Sequence, residues 1–140
     1  MRRFAVTPTI SGYGRILVVD DEPSVAETLE MILLGRRYDV RVAFSAKEAI
    51  EVVAMWEPEV AIVDVMLPQM NGIELGIVIK ENYPNCRVVL VSGHPDSGGL
   101  LEEAQDRGFS FEILPKPLQP ASILEMVATM LPPRLHGLQA

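Results

Sequence analysis

The chain has 140 residues, the length of one ordinary domain with room for a sizeable core. It is 49% apolar and 22% charged, a globular balance that excludes a disordered polymer. A formal net charge of −7 argues against a built-in nucleic-acid or anionic-membrane surface.

Short β-type apolar runs alternate with longer helical stretches, a pattern of parallel α/β organisation. Arg15–Asp20 reads as a buried strand ending in acid. Pro23 suits a first helical turn with Asp21 or Glu22 as cap, Val25, Leu29, Ile32 and Leu33 follow at helical spacing, and Gly35 is the expected stop. Arg36-Arg37 is the one internal basic pair and reads as a solvated helix C-terminus. Asp39–Phe44 is a second strand, and Ser45 with Glu48 makes a capping box for a helix through about Trp56.

Glu59–Val65 is the third strand and carries Asp64 near its end. Met66–Gly72 is a loop, punctuated by Pro68 and Asn71-Gly72, that leads to a helix up to about Tyr83. Gly76 inside that helix costs roughly 1 kcal/mol against alanine. Arg87–Ser92 is the fourth strand, Gly93–Gly99 a loop, and a short helix runs to about Arg107. Ser110–Leu114 is the fifth strand, followed by Pro115-Lys116-Pro117 and a helix from about Pro120 to Leu131. Residues 1–13 and 132–140 read as tails around a single domain at 14–131. Met31, Met55, Met126 and Met130 fall at helical positions as core or partner-facing filler.

The lone Cys86 has no CxxC partner and precedes an apolar strand, so a structural thiol is expected. Arg2-Arg3 leads into no apolar h-region, and no run approaches the ~18 apolar residues of a membrane span. A cytoplasmic location is the default. No second histidine or cysteine stands at metal-ligand spacing from His94 or His136, which argues against zinc.

Fully apolar strands fit a doubly wound five-stranded parallel sheet with helices on both faces. Ligands bind such a sheet beyond its strand carboxyl ends. The polar residues there are Asp20-Asp21, Asp64, Ser92 and Lys116. Three carboxylates on one rim repel unless a cation sits among them, and a hard oxygen-liganded ion such as Mg²⁺ suits that set. Asp64 is then a candidate nucleophile toward a phosphoryl group, Lys116 a mobile positive charge, and Ser92 a hydroxyl donor.

At these residues the chain resembles the receiver domains of two-component response regulators. Val-Val-Asp20-Asp21-Glu22-Pro23, Asp64-Val-Met-Leu-Pro68-Gln-Met-Asn-Gly72, Val-Ser92-Gly-His and Pro115-Lys116-Pro117 match the family's signatures, over about residues 14–131. The resemblance implies a flavodoxin-like sheet of strand order 2-1-3-4-5. It also implies a phosphoryl group accepted by Asp64 from a histidine kinase or phosphotransfer protein. Mg²⁺ would be held by Asp20, Asp21, Asp64 and the Met66 main-chain carbonyl, with Ser92 and Lys116 turned to the phosphate. Such a domain is a switch that catalyses its own phosphoryl transfer and slow dephosphorylation. Its output surface is the fourth helix, fifth strand and fifth helix, which would meet an unknown downstream protein or a second copy in a homodimer. No output domain is expected after residue 131, and neither nucleic acid nor membrane is an expected partner.

Two rivals fail on particular residues. A dehalogenase-type phosphatase needs a second aspartate two past the nucleophile, where Met66 stands. A pseudo-receiver would lack part of the site, yet all five residues are present. Departures from the family are local. The aromatic switch usual three residues before the lysine is Ile113 here, and Phe111 lies two residues earlier on the same strand face. Gly93 replaces a common alanine, and Gly98-Gly99 weakens the start of the fourth helix, so a mobile segment is expected there.

Overall fold

A computed structural model describes residues 13–93 and 99–131. Its elements are β1 (Arg15–Val19), α1 (Pro23–Leu34), β2 (Asp39–Ala43), α2 (Ala46–Trp56), β3 (Val60–Asp64), α3 (Gly72–Asn82), β4 (Arg87–Ser92), α4 (Leu100–Asp106), β5 (Glu112–Pro115) and α5 (Pro120–Met130). All neighbouring strands are parallel and the order is β2-β1-β3-β4-β5, the flavodoxin-like topology expected.

Side chains alternate across each strand and so divide the core in two. Leu17, Val19, Ala61, Val63, Val88 and Leu90 face α2, α3 and α4, where they meet Ala49, Val53, Ile73, Ile77 and Ala104. Ile16, Val18, Ile62, Val89 and Val91 face α1 and α5, where they meet Leu29, Leu33, Ile123 and Val127. Both faces are covered, which is why the central strands carry no polar alternation.

Side-chain caps set the starts of two helices, α2 and α3. Ser45 Oγ accepts from the Glu48 N–H at 3.1 Å, and Glu48 Oε1 accepts from the Phe44 N–H at 2.9 Å, one residue before the cap. Asn71 caps α3 by accepting from the Glu74 N–H at 2.9 Å.

Several sequence expectations are refined or corrected. Gly35 ends α1 as expected, as its C-cap at φ −63°, and the left-handed residue is Arg37 at φ 71°. Tyr38 N–H then reaches back to Leu33 O at 3.3 Å across the 35–37 turn. Glu22, one of the two expected, is the N-cap residue of α1, though no side chain makes the capping hydrogen bond. Gly99, at φ 85°, precedes α4 as its cap residue rather than weakening the helix from within. Met31 and Met55 are 73% and 84% exposed, so they are not core, whereas Met126 and Met130 pack against the α1–α5 side. Ser110 and Phe111 lie before β5 rather than in it. Positions 94–98, with His94 and Gly98, and both tails, with His136, lie outside the described residues.

Candidate functional site

The carboxyl ends of β1, β3, β4 and β5 bring Asp20, Asp21, Asp64, Ser92 and Lys116 to one rim. Asp20 is 2% exposed, Asp64 4% and Ser92 3%, which makes them the buried polar residues among those described. Asp21 stands exposed beside them. Carboxylate oxygens of Asp20, Asp21 and Asp64 lie within 4.8 Å of one another.

Two of these acids are held by the same local device. Asp20 Oδ1 accepts from the Glu22 N–H at 2.9 Å, and Asp64 Oδ1 accepts from the Met66 N–H at 3.0 Å. Each is a bond to the main chain two residues on, an Asx turn. It orients the carboxylate and leaves the second oxygen to face the site. On Asp64 that second oxygen, Oδ2, accepts from Lys116 Nζ at 3.2 Å. Lys116 is itself fixed through its backbone, whose N–H donates to Ser92 O at 3.0 Å. The Lys116–Pro117 bond is cis. Ser92 sits one residue past Val91, the register partner of Asp64.

The loop after Asp64 is tightly drawn. Gly72 N–H donates to Val65 O at 2.9 Å, and a Cβ at Gly72 would collide with the carbonyl group of Asp64 and with Val65 Cα. Only glycine permits that approach. Between them Gln69 is at φ 70° and Met70 N–H donates to Pro68 O at 2.8 Å, a strained γ-turn. Met66, two residues past Asp64, is 65% exposed.

Burial raises the Asp20 carboxyl above its ordinary 3.8, and the nearby charges of Asp64 and Asp21 push it the same way against the Glu22 N–H and Lys116. A buried acid made costly by two neighbouring acids is what a hard divalent cation relieves. The donor set is all oxygen, so it fits Mg²⁺ rather than a softer metal. Beside the rim an apolar groove of about 450 Å³ opens between α1 and α5, where Glu22 and Lys116 meet Val25, Ile32 and Leu118.

The Asx turns and the closure at Gly72 were missed from sequence. An acid two residues before any N–H carries the signal, but the signal is too common to single these out.

A family model for the response regulator receiver domain matches residues 16–128, and the chain belongs to that family. Its members are two-component signalling domains for which phosphorylation and Mg²⁺ at an acidic pocket are general, and which interact with histidine kinases and downstream effectors. The chain is 31% identical over 117 residues to response regulator protein PilR of Pseudomonas aeruginosa, covering 84% of this chain and 26% of the relative. To the DNA-binding response regulator MtrA of Mycolicibacterium smegmatis it is 32% identical over 120 residues, covering 84% and 50%. The chain thus spans between a quarter and a half of the length of these curated relatives. Among solved structures, a CheY-like receiver domain protein from Methanospirillum hungatei superposes with a TM-score of 0.75 at 26% identity, covering 84% of this chain and 93% of that one. No helix among the described residues is long and apolar enough to cross a membrane.

Proposed function

We propose that Asp64 is the phosphoacceptor of a signalling switch and that residues 14–131 are its receiver unit. The observation that carries this is the geometry at Asp64. One carboxylate oxygen is pinned by the Met66 N–H, the other meets the Lys116 ammonium, and two further acids stand within 4.8 Å. A carboxylate oxygen attacks phosphorus, the bond to the donor breaks, and an aspartyl phosphate remains. Lys116 then exchanges its carboxylate contact for a phosphoryl oxygen, and Ser92 supplies a hydroxyl donor from the next strand. Asp20, Asp21, Asp64 and the Met66 main-chain carbonyl would hold Mg²⁺, which neutralises the phosphoryl charge when bound.

The donor is a histidine kinase or phosphotransfer protein, and the groove between α1 and α5 is the apolar surface next to the acceptor that suits it. The phosphorylated form alters the β4–α4 segment and the α4–β5–α5 surface and so changes binding of a downstream protein or of a second copy. The chain catalyses its own phosphoryl transfer and slow dephosphorylation. A cytoplasmic site of action suits a kinase-fed switch.

Incubation with a small phosphodonor and Mg²⁺, followed by intact-mass measurement, is the test. One phosphoryl group is expected, absent from Asp64→Asn and absent with chelator. Stoichiometric labelling of the asparagine variant would sink the assignment.

A further inference from the structure

Glycine in a helix interior is destabilising by about 1 kcal/mol relative to alanine, and Gly76 stands near the middle of α3. A contact explains it. A Cβ built on Gly76 would lie 2.9 Å from Phe111 Cε1, 3.1 Å from Phe111 Cζ and 3.3 Å from Val88 Cγ1. The edge of the Phe111 ring therefore occupies the volume that a side chain at 76 would fill. Lys80, one turn further along α3, holds its ammonium 5.9 Å from the centroid of the same ring, within cation–π range. The ring is half-buried and, like Phe109 and Ile113, packs against the α2–α4 side of the core.

The other end of this relationship is at the acid rim. Gly72, the first residue of α3, presses on the backbone of Asp64 and Val65. Gly72 and Gly76 are four positions apart and share a face of the helix. A single turn of α3 is thus wedged between the main chain of Asp64 and the Phe111 ring, with no methyl group at either contact to take up slack. Interiors packed this closely change between discrete arrangements rather than deforming smoothly. The residue three before Lys116, meanwhile, is the aliphatic Ile113.

We propose that the Phe111 ring in its Gly76 notch is the conformational reporter of this chain, coupling the state of the Asp64 site to β5 through α3 without an aromatic side chain at position 113. This rests on Asp64 being the phosphoacceptor. A rearrangement of the 64–72 segment around a phosphoryl group shifts the first turn of α3. The ring follows, and β5 begins at the next residue, Glu112.

The test is NMR on the whole chain with ¹³C-labelled phenylalanine rings, titrated with Mg²⁺ and beryllofluoride. There are four phenylalanines, and the Phe111→Leu spectrum assigns the signal. Amide shifts at Asp64–Met66 report occupancy of the site independently. Occupancy should move the Phe111 ring signal. In Phe111→Leu and Gly76→Ala the 64–66 response should persist while the response of residues 112–114 falls at least threefold. Gly76→Ala should still fold, because the nearest obstruction is the end of a rotatable ring. An unmoved ring signal with shifted 64–66 amides overturns the coupling and leaves the acceptor assignment standing. So does an intact 112–114 response in Phe111→Leu. Unmoved 64–66 amides in the wild type overturn both.

Discussion

Lys116 and Asp64 come from strands separated by β4, yet Nζ and Oδ2 meet at 3.2 Å. The pair is asymmetric: the lysine side chain is 30% exposed and the aspartate 4%. Water can solvate the ammonium if the pair breaks, but it cannot reach the carboxylate as freely. Lys116→Met should therefore destabilise the metal-free protein by about 1–3 kcal/mol, mostly by leaving a buried acceptor unpaired. In the Lys116→Met background, Asp64→Asn should recover most of that loss. Denaturant melts of the four proteins form a double-mutant cycle. Additive effects would mean that the contact contributes nothing to stability.

A second prediction concerns the cation. Asp20 has its pKa raised in the fold, first by burial and then by Asp64 and Asp21. An acid shifted that way favours the folded state only when protonated, so without metal its contribution falls as pH rises through and above 3.8. Mg²⁺ should reverse this at neutral pH. Ten times the dissociation constant adds about 1.4 kcal/mol, which raises Tm by roughly 5 °C in a domain of this size. Asp21 is exposed, so Asp21→Asn should leave the metal-free melting temperature nearly unchanged and cut the Mg²⁺ response at least by half. An equal response in wild type and variant would remove Asp21 from the ligand set.

The five strands and the rim residues were legible because apolar runs and acids at strand ends are both local signals, whereas the strand order came from the family resemblance. What the sequence left unread is where the main chain turns and which distant side chains meet. Gly76 reads as a weakness within its helix, since its partner Phe111 is distant in sequence and no local propensity registers it. Gly35 does stop α1, but the left-handed position falls on Arg37, where Tyr38 N–H reaches Leu33 O. Asp20 looked like the end of a strand with a cap to follow. It is instead the residue whose carboxylate orders the entry to α1. Periodicity named these elements, while local main-chain hydrogen bonds at Asp20 and Tyr38 and one distant contact at Gly76 set the details.

Cys86 supplies a check on the packing beneath β4. Burial pushes its thiol from 9.0 up to about 11, so at neutral pH it is neutral and shielded. A thiol reagent at pH 8 should label the folded chain at least ~100-fold more slowly than the denatured chain, through transient opening. Because the folded pKa is the higher one, this group's contribution to stability should diminish as pH climbs from 9.0 toward about 11. Folded-state labelling as fast as in denaturant would show that β4 does not bury the residue.

Met66 should govern the lifetime of the phosphorylated state proposed above. Its N–H fixes Asp64 Oδ1 while its side chain stands 65% exposed. Hydrolysis of an aspartyl phosphate requires a water in line with the bond to Asp64, on the open side of the phosphoryl group. A thioether is bulky and accepts hydrogen bonds weakly, so it obstructs that water without orienting it. Asparagine offers both a donor and an acceptor in a smaller volume. Met66→Asn should keep the backbone bond to Asp64, accept phosphate at a similar rate and lose it about tenfold faster, a change that needs only ~1.4 kcal/mol off the barrier. The measurement is decay of the phosphorylated mass after removal of the donor, with Mg²⁺ present throughout. His94, two past Ser92, lies outside the described residues, and His94→Ala run in parallel separates any effect of that side chain. Decay of Met66→Asn at the wild-type rate or slower would show that Met66 does not gate the water.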